Sequence, residues 1–208
     1  MNISSDLANR IQVIYNSTNF TCEEIPVKAT DVFNIVYVGR NSPEKRISLI
    51  GKIATDLKKI DKRYTIIFVG KDLEQGVNLE DRESCNFVGN ITNLEELEQI
   101  YRAAHVVLIA STREGIPMVL VEGMVFGAVP VSTNVGGIAE LIEQDVTGKL
   151  IPYTVLEETQ KDLFLNEIKQ LKESTSLFNL CCANSFKQAK QSFSELQFSE
   201  KYTEIIQS

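Results

Sequence analysis

The chain has 208 residues, of which 43% are hydrophobic and 24% charged, which suits a globular domain with a sizeable core. The formal net charge of −7 disfavours general nucleic-acid binding, because an acidic surface repels phosphate backbones. No window approaches the roughly 20 apolar residues of a membrane span, and residues 1–12 do not resemble a signal peptide.

Cysteine and histidine usage argues against a metal centre. The four cysteines form neither a CxxC pair nor a zinc pattern, so they are expected to be free, buried thiols: Cys22, Cys85, Cys181 and Cys182. His105 is the only histidine, and we interpret it as structural.

Continuous apolar runs predict buried parallel strands over residues 33–39, 64–70, 85–89, 105–111, 128–133 and 148–152. Between them, apolar residues at helical spacing predict helices over residues 47–57, 92–104, 117–126 and 136–144. The second of these helices is expected to begin with a Thr92/Glu95 capping box. Residues 10–16 look like a further strand, and residues 156–208 look helical throughout.

This alternation predicts an α/β fold: a Rossmann-like, doubly wound parallel sheet followed by C-terminal helices. Such sheets bind ligands in the loops at the carboxyl ends of their strands. The first of these loops, "GRNSPEKR", carries Arg40, Lys45 and Arg46, whose charges suit a diphosphate. A solvated basic loop that pairs with surface acids is the alternative.

The loop "STREGIPM" leads from a strand into an apolar helix. The first helical NH groups, those of Met118 and Val119, have no intrahelical partner and favour an anion. Glu114 lies at the mouth of this loop, and Glu122 is the only charge between Ile116 and Val131. A buried carboxylate costs several kcal/mol unless hydrogen bonds satisfy it, and vicinal ribose hydroxyls could supply them. The alternative is a structural ion pair with a lysine or arginine.

Other motifs are weak or missing. The glycine pair in "TNVGGIAELI" allows close approach of a ligand, but it also suits an ordinary strand–helix turn. The sequence contains no GxGxxG after the first strand, no P-loop, no DxD and no GxSxG. These absences disfavour a dinucleotide site, a P-loop nucleotidase, a DxD-held metal and a serine-hydrolase site.

Four stretches together resemble a known family: "VYVGRNSPEKR", "FVGNITNLEELEQIY", "STREGIPMVLVEGMVFGAVPVSTNVGGIAELI" and "TGKLIP". In order and spacing they are similar to the C-terminal, donor-binding half of retaining GT-B glycosyltransferases of family 4 (glycosyl transferases group 1). Glu114 and Glu122 match the family's E-x7-E motif. The "EGIPMVLVEGM" form looks like that of enzymes that build capsular, exopolysaccharide and cell-wall glycans.

The resemblance implies roles for the matching positions. A catalytic group of Arg40, Lys45 and Glu114 would hold the diphosphate, stabilise the leaving nucleotide and contact the donor sugar. Glu122 would bind the ribose. The remaining donor-binding positions would be Gly39, Asn90, Ile91, Gly115, Ile116, Pro117, Met118 and Val119, with Asn90 and Ile91 against the base. The resemblance further implies a UDP- or GDP-sugar donor, hexosyl transfer with retention, and no cofactor or bound metal.

Three positions depart from the family pattern. Arg46 stands where the family often has Gly, so this turn is in question. His105 replaces a frequent Asp, and "EGIP" replaces "EGFG", which removes the backbone NH at Pro117.

The length implies an excised donor half of a larger enzyme that is inactive without its N-terminal acceptor domain. We expect an interdomain connection over residues 1–30, the nucleotide-sugar-binding domain over 31–173 and C-terminal helices over 174–208. Two alternatives stay open: a non-catalytic nucleotide-sugar-binding or scaffold domain of the same fold, and a disfavoured nucleotide-sugar epimerase. The expected location is the cytoplasm, with membrane contact at its inner face only through the missing half.

Overall fold

A single parallel sheet organises the part of the chain, residues 12–207, that the computed structural model describes. Its six strands within that range are β1 (Phe33–Val38), β2 (Tyr64–Val69), β3 (Cys85–Gly89), β4 (Val106–Ile109), β5 (Val129–Thr133) and β6 (Lys149–Ile151). They pair in the order β3-β2-β1-β4-β5-β6. The strand order therefore reverses between β1 and β4, and the loops after these two strands meet at the same edge.

Helices cover both faces of this sheet. In chain order they are α1 (Ile47–Ile60), α2 (Leu73–Gly76), α3 (Leu94–Ala103), α4 (Met118–Val125), α5 (Ile138–Leu141), α6 (Glu157–Glu173), α7 (Thr175–Ser192) and α8 (Glu195–Gln207). Short 3-10 helices span Pro43–Lys45 and Leu79–Ser84. Within residues 12–207, no helix combines the length and the apolar character that crossing a membrane requires.

Successive residues of β1 point to opposite faces and so contribute to two separate cores. Ile35 and Tyr37 belong to the core that includes Ile50 of α1 and Phe164 of α6. Val36 belongs to the other core, with Tyr101 of α3 and Met124 of α4. Burial on both faces explains why the strands are continuous apolar runs, and it confirms the predicted Rossmann-like, doubly wound fold.

Local structure corrects several sequence predictions. Residues 12–16 form no strand, whereas residues 10 and 11 of that predicted strand lie outside the described range. Helix α3 is capped by Asn93 rather than Thr92, because the Asn93 side chain accepts hydrogen bonds from the backbone NH groups of Glu95 (2.8 Å) and Glu96 (3.3 Å). Helix α2 and both 3-10 helices were not predicted, since segments this short show no periodicity.

The cysteine and histidine interpretations are confirmed. All four cysteines are free and buried. The His105 Nδ1 atom accepts a hydrogen bond from the Asn34 backbone NH (3.0 Å), so Nε2 carries the proton and donates to the Ala29 carbonyl (2.9 Å). Burial lowers the pKa of His105, and its ring stacks on Phe33. The predicted domain boundaries stay predictions, and residues 1–11 and 208 lie outside the described residues.

Candidate functional site

A cavity of about 210 Å³ lies where the loop after β1 faces the start of α4. We call it the switch-point cavity, because it sits between the two strands where the sheet order reverses. Its lining residues are Tyr37, Val38, Gly39, Arg40, Lys45, Ile109, Ser111, Glu114, Pro117, Met118 and Val119. It is thus built from two segments, residues 37–45 and 109–119, that the sheet brings together.

Glu114 is the most heavily contacted polar side chain of this cavity. Its Oε1 atom accepts hydrogen bonds from Lys45 Nζ (2.6 Å) and Ser111 Oγ (2.5 Å). The Lys45 and Glu114 side chains are 19% and 9% exposed, so water screens this ion pair only partly. Two predicted catalytic residues, far apart in sequence, are therefore direct partners in the structure.

Neighbouring loops hold the Glu114 segment in place. The Ser111 carbonyl accepts a hydrogen bond from Thr133 Oγ1 (2.6 Å) at the end of β5, and the Thr112 NH donates to the Glu44 carbonyl (2.9 Å). Gly136 has φ +59°, and a Cβ atom there would lie 1.8 Å from the Glu114 carbonyl oxygen. The glycine pair therefore lets the loop after β5 pack directly against the Glu114 backbone. The close contact at these glycines is made with the protein itself and not with a ligand.

Arg40 and Arg46 flank Lys45 in the loop after β1. The Arg40 carbonyl accepts a hydrogen bond from the Tyr37 hydroxyl (3.1 Å), and Arg40 lines the cavity. Arg46 adopts the left-handed conformation (φ 52°, ψ 48°) at the position where the related family often has glycine. The left-handed turn is thus present although Arg46 is strained in this conformation.

Helix α4 begins at Met118, with Pro117 at the N-cap position, so the helix starts one residue later than predicted. The cap makes no side-chain hydrogen bond, and Pro117, Met118 and Val119 all line the switch-point cavity. The positive end of the helix dipole therefore faces the cavity beside Arg40 and Lys45. This arrangement suits an anion with several oxygens, such as a diphosphate.

Glu122 lies on α4, half-buried, and accepts a hydrogen bond from the Tyr101 hydroxyl (2.7 Å) of α3. Burial raises the pKa of Glu122, and the bond from Tyr101 opposes that shift. Among the described residues, neither a lysine nor an arginine forms an ion pair with Glu122, so the structural ion-pair alternative finds no support there. Tyr101 is fully buried, and burial beside Glu122 raises the pKa of its phenol.

The structure brings together seven of the predicted site residues in the cavity wall: Gly39, Arg40, Lys45, Glu114, Pro117, Met118 and Val119. The other five do not line it: Asn90, Ile91, Gly115, Ile116 and Glu122. Asn90 lines an adjoining cavity of about 400 Å³ that shares Gly39 and Arg40, and Ile91 packs against the hydrophobic core. Glu122 is four residues beyond Met118 and thus on the same helix face.

Sequence reasoning missed three residues that shape this site: Ser111, Tyr101 and Tyr37. Ser111 follows the apolar run 106–110, which contains β4, and this was a usable signal for a side chain at the ligand-binding edge. Tyr101 gave no such signal, because its position fits the apolar face of α3 and its hydroxyl group meets Glu122 only in the folded chain.

A second, larger cavity of about 720 Å³ lies at the opposite, amino ends of the strands. This amino-edge cavity is bounded by the starts of β1 and β2, by α6 and α7, and by residues 25–32. Within it, the Lys28 amine donates hydrogen bonds to the carbonyls of Arg102 (2.8 Å) and Phe126 (2.9 Å). These carbonyls belong to the C-terminal ends of α3 and α4, so Lys28 fixes the two helices that carry Tyr101 and Glu122.

The fold and parts of the sequence are similar to glycosyltransferases. The chain is 22% identical over 205 residues to an uncharacterized 41.2 kDa protein in the cps region of Klebsiella pneumoniae, covering 93% of this chain and 56% of that protein. The crystal structure of the pneumococcal O-GlcNAc transferase GtfA in complex with UDP and GlcNAc superposes with a TM-score of 0.76 at 23% identity, over 92% of this chain and 38% of that one.

The crystal structure of Anabaena HepE in complex with UDP and glucose superposes with a TM-score of 0.72 at 23% identity, covering 85% of this chain and 48% of that one. At this identity, the two structural likenesses establish the fold. The chain spans only about half, or less, of the length of these relatives.

The sequence model of the family described as glycosyl transferases group 1 matches residues 22–180. That match includes all six strands and every residue of the switch-point cavity. With more than half of its length matched, the chain belongs to the glycosyl transferases group 1 family.

Proposed function

We propose that this chain binds the nucleotide-diphosphate-sugar donor of a retaining, family 4 hexosyltransferase that builds a polysaccharide or glycoconjugate. One observation carries the proposal: Arg40, Lys45, Glu114 and the uncapped start of α4 surround a single cavity at the switch point of the sheet. Cationic side chains beside a helix N-terminus complement a diphosphate, and the switch point is where open α/β sheets bind ligands.

We assign the parts of the donor according to the family resemblance, and this geometry is compatible with that assignment. The diphosphate lies between Arg40, Lys45 and the first NH groups of α4, and the cations stabilise the charge of the departing nucleotide. Glu114 accepts hydrogen bonds from the donor sugar. Glu122, one turn further along the same helix face, accepts bonds from the ribose while Tyr101 holds its other side. The base lies towards the adjoining cavity at Asn90.

UDP is the first nucleotide to test, because it is the nucleotide named with both similar crystal structures. A role in polysaccharide synthesis draws support from the relative in the cps region of Klebsiella pneumoniae. Retention rests on the E-x7-E motif at Glu114 and Glu122, and the acceptor would be bound by a domain outside this chain.

Calorimetric titration with UDP, UDP-glucose, GDP, ADP and NAD tests the proposal. We expect UDP and UDP-glucose to bind, NAD to show no heat of binding, and EDTA to leave the affinities unchanged because no metal is required. A chain that binds no nucleoside diphosphate at millimolar concentration would contradict the assignment. Loss of UDP binding in the presence of EDTA would contradict the proposed absence of a metal.

We also expect the chain to bind the donor without transferring sugar. Release of free glucose from UDP-glucose above the buffer rate would contradict this expectation. Retention is tested on the enzyme assembled with its acceptor domain, by NMR of the product's anomeric proton at early times.

A further inference from the structure

We propose that the Lys45–Glu114 ion pair lets the site distinguish a nucleotide sugar from the free nucleoside diphosphate, and so promotes release of the spent nucleotide. This inference rests on the proposed function and adds a discriminating role for an interaction within that site. It starts from the contact between Lys45 Nζ and Glu114 Oε1 at 2.6 Å.

The Lys45 amine already has a charged partner in this structure. Its amine is bound to a carboxylate that is 9% exposed, in the wall of the cavity where the diphosphate would lie. A phosphate oxygen that binds Lys45 therefore competes with Glu114 for the same cation. When the phosphate takes Lys45, the Glu114 carboxylate keeps the hydrogen bond from Ser111 Oγ and loses its charged partner.

The identity of the ligand decides whether Glu114 gains a new hydrogen-bond donor in place of Lys45. In a nucleotide sugar, the sugar is attached to the terminal phosphate, and its hydroxyls can donate to Glu114 in place of Lys45. A free nucleoside diphosphate offers no such donor. Its terminal phosphate also carries a further negative charge near neutral pH, since the second pKa of a phosphate monoester is about 6.

Glu114 thus disfavours binding of the free nucleoside diphosphate, the product, more than binding of the nucleotide sugar, the substrate. Among the described residues that line the cavity, Arg40 and Lys45 attract both ligands, and Glu114 is the carboxylate that faces them. Repulsion between partly desolvated charges exceeds that in bulk water, because the local dielectric is lower. Ser111 keeps the carboxylate pointed at the ligand in either state, and Thr133 in turn holds the Ser111 backbone.

The test compares three ligands: UDP, UDP-glucose and the methyl ester of UDP on its terminal phosphate. The methyl ester has the charge of the nucleotide sugar without its hydroxyls, so it separates charge from sugar contact. Affinities are measured by calorimetry for the unaltered chain, for Glu114→Gln, and for the matched control Glu173→Gln, which removes an exposed charge at the opposite end of the sheet.

In Glu114→Gln we expect UDP to bind roughly fivefold more tightly, a size typical of one partly screened charge pair. The methyl ester should gain less, and UDP-glucose should bind more weakly, because a sugar contact is lost. Glu173→Gln should bind all three ligands as the unaltered chain does. Circular dichroism verifies that each variant is folded.

A second variant tests whether Glu114 and the phosphate compete for Lys45. In a Lys45→Met background there is no cation for Glu114 and the phosphate to compete for, so the tightening of UDP by Glu114→Gln should be smaller than in the unaltered background, and the two changes must be non-additive. Strict additivity would overturn the inference, as would UDP affinity that is unchanged or weaker in a folded Glu114→Gln. If the unaltered chain binds none of the three ligands, the proposed function itself fails, and the inference fails with it.

Discussion

The two ends of the sheet differ in what their charged groups contact. At the amino ends, charges bordering the larger cavity are satisfied within the protein: Lys28 by two helix carbonyls, and Asp61 by Arg63 and Lys172. At the carboxyl ends Lys45 and Glu114 are also paired, but the smaller cavity is lined in addition by the exposed Arg40 and by a helix N-terminus that has no side-chain cap. The larger cavity therefore lies where charged groups are paired within the protein, whereas the smaller one adjoins helix NH groups that a ligand could satisfy, and we propose the site there.

We expect removal of a cationic side chain to weaken UDP binding at the carboxyl end of the sheet but not at the amino end. Arg40→Ala at the carboxyl end should weaken UDP binding by roughly 10- to 100-fold, the range of one charge-assisted hydrogen bond. It should leave the free energy of unfolding nearly unchanged, because Arg40 is exposed. Calorimetric titration and urea denaturation measure the two quantities.

Arg63→Ala is the matched control at the amino end, where the guanidinium pairs with Asp61 (Nη2 to Oδ2, 2.7 Å). UDP affinity in this variant should equal that of the unaltered chain. Equal losses of affinity in the two variants would show that the ends do not differ as described.

Lys28→Ala should lower the free energy of unfolding by about 2 kcal/mol, because it leaves the Arg102 and Phe126 carbonyls without their donor. Burial lowers the pKa of Lys28 to about 8 from its ordinary 10.5. Between these values the unfolded chain binds the proton more readily than the folded chain, so the contribution of Lys28 to stability rises with pH.

Urea denaturation near pH 7.5 and near pH 10 checks this pH dependence. The difference in free energy of unfolding between the unaltered chain and Lys28→Ala should be larger at the higher pH. Lys28→Met, which keeps the aliphatic stem, controls for lost packing. A difference that shrinks with pH would show that the amine is better stabilised as a cation in the folded state.

Glu122→Gln should raise the melting temperature at neutral pH while weakening UDP binding by roughly tenfold, the size of a lost hydrogen bond to a charged group. Burial raises the pKa of Glu122, so its ionised form destabilises the folded state above that pKa. The gain in the variant should therefore shrink as the pH falls through the folded-state pKa towards 4.5, the ordinary value.

Glu114→Gln is the control for this prediction, because its carboxylate is already paired with Lys45 and should yield no such gain. Thermal melts of both variants between neutral pH and pH 4.5 separate the two behaviours. Identical melting temperatures for Glu122→Gln and the unaltered chain at pH 7 would show that Glu122 is adequately stabilised by Tyr101 alone.

Arg46→Gly is expected to have the smallest effect, an increase of about 0.5 kcal/mol in the free energy of unfolding. Glycine relieves the left-handed backbone strain, and its greater freedom in the unfolded chain offsets part of the gain. Urea denaturation measures this change. A clear loss of stability would mean that the packing of the Arg46 side chain over Tyr153 outweighs the strain.

The sequence by itself determined the fold class and predicted the edge of the sheet at which we propose the site. Runs such as residues 33–38 and 106–109 are buried on both faces, and only strands inside a covered parallel sheet require that pattern. Because parallel strands place their carboxyl ends together, the loops containing Arg40 and Glu114 were expected to meet, and they do.

Tertiary structure alone decided how the side chains pair. Lys45 and Glu114 are 69 residues apart, and their contact depends on β1 and β4 being neighbours. The same holds for Tyr101 with Glu122, whose hydroxyl and carboxylate meet across two packed helices. Local periodicity records which face of an element is buried, but not which element covers it, and that second fact fixes every polar contact of the site.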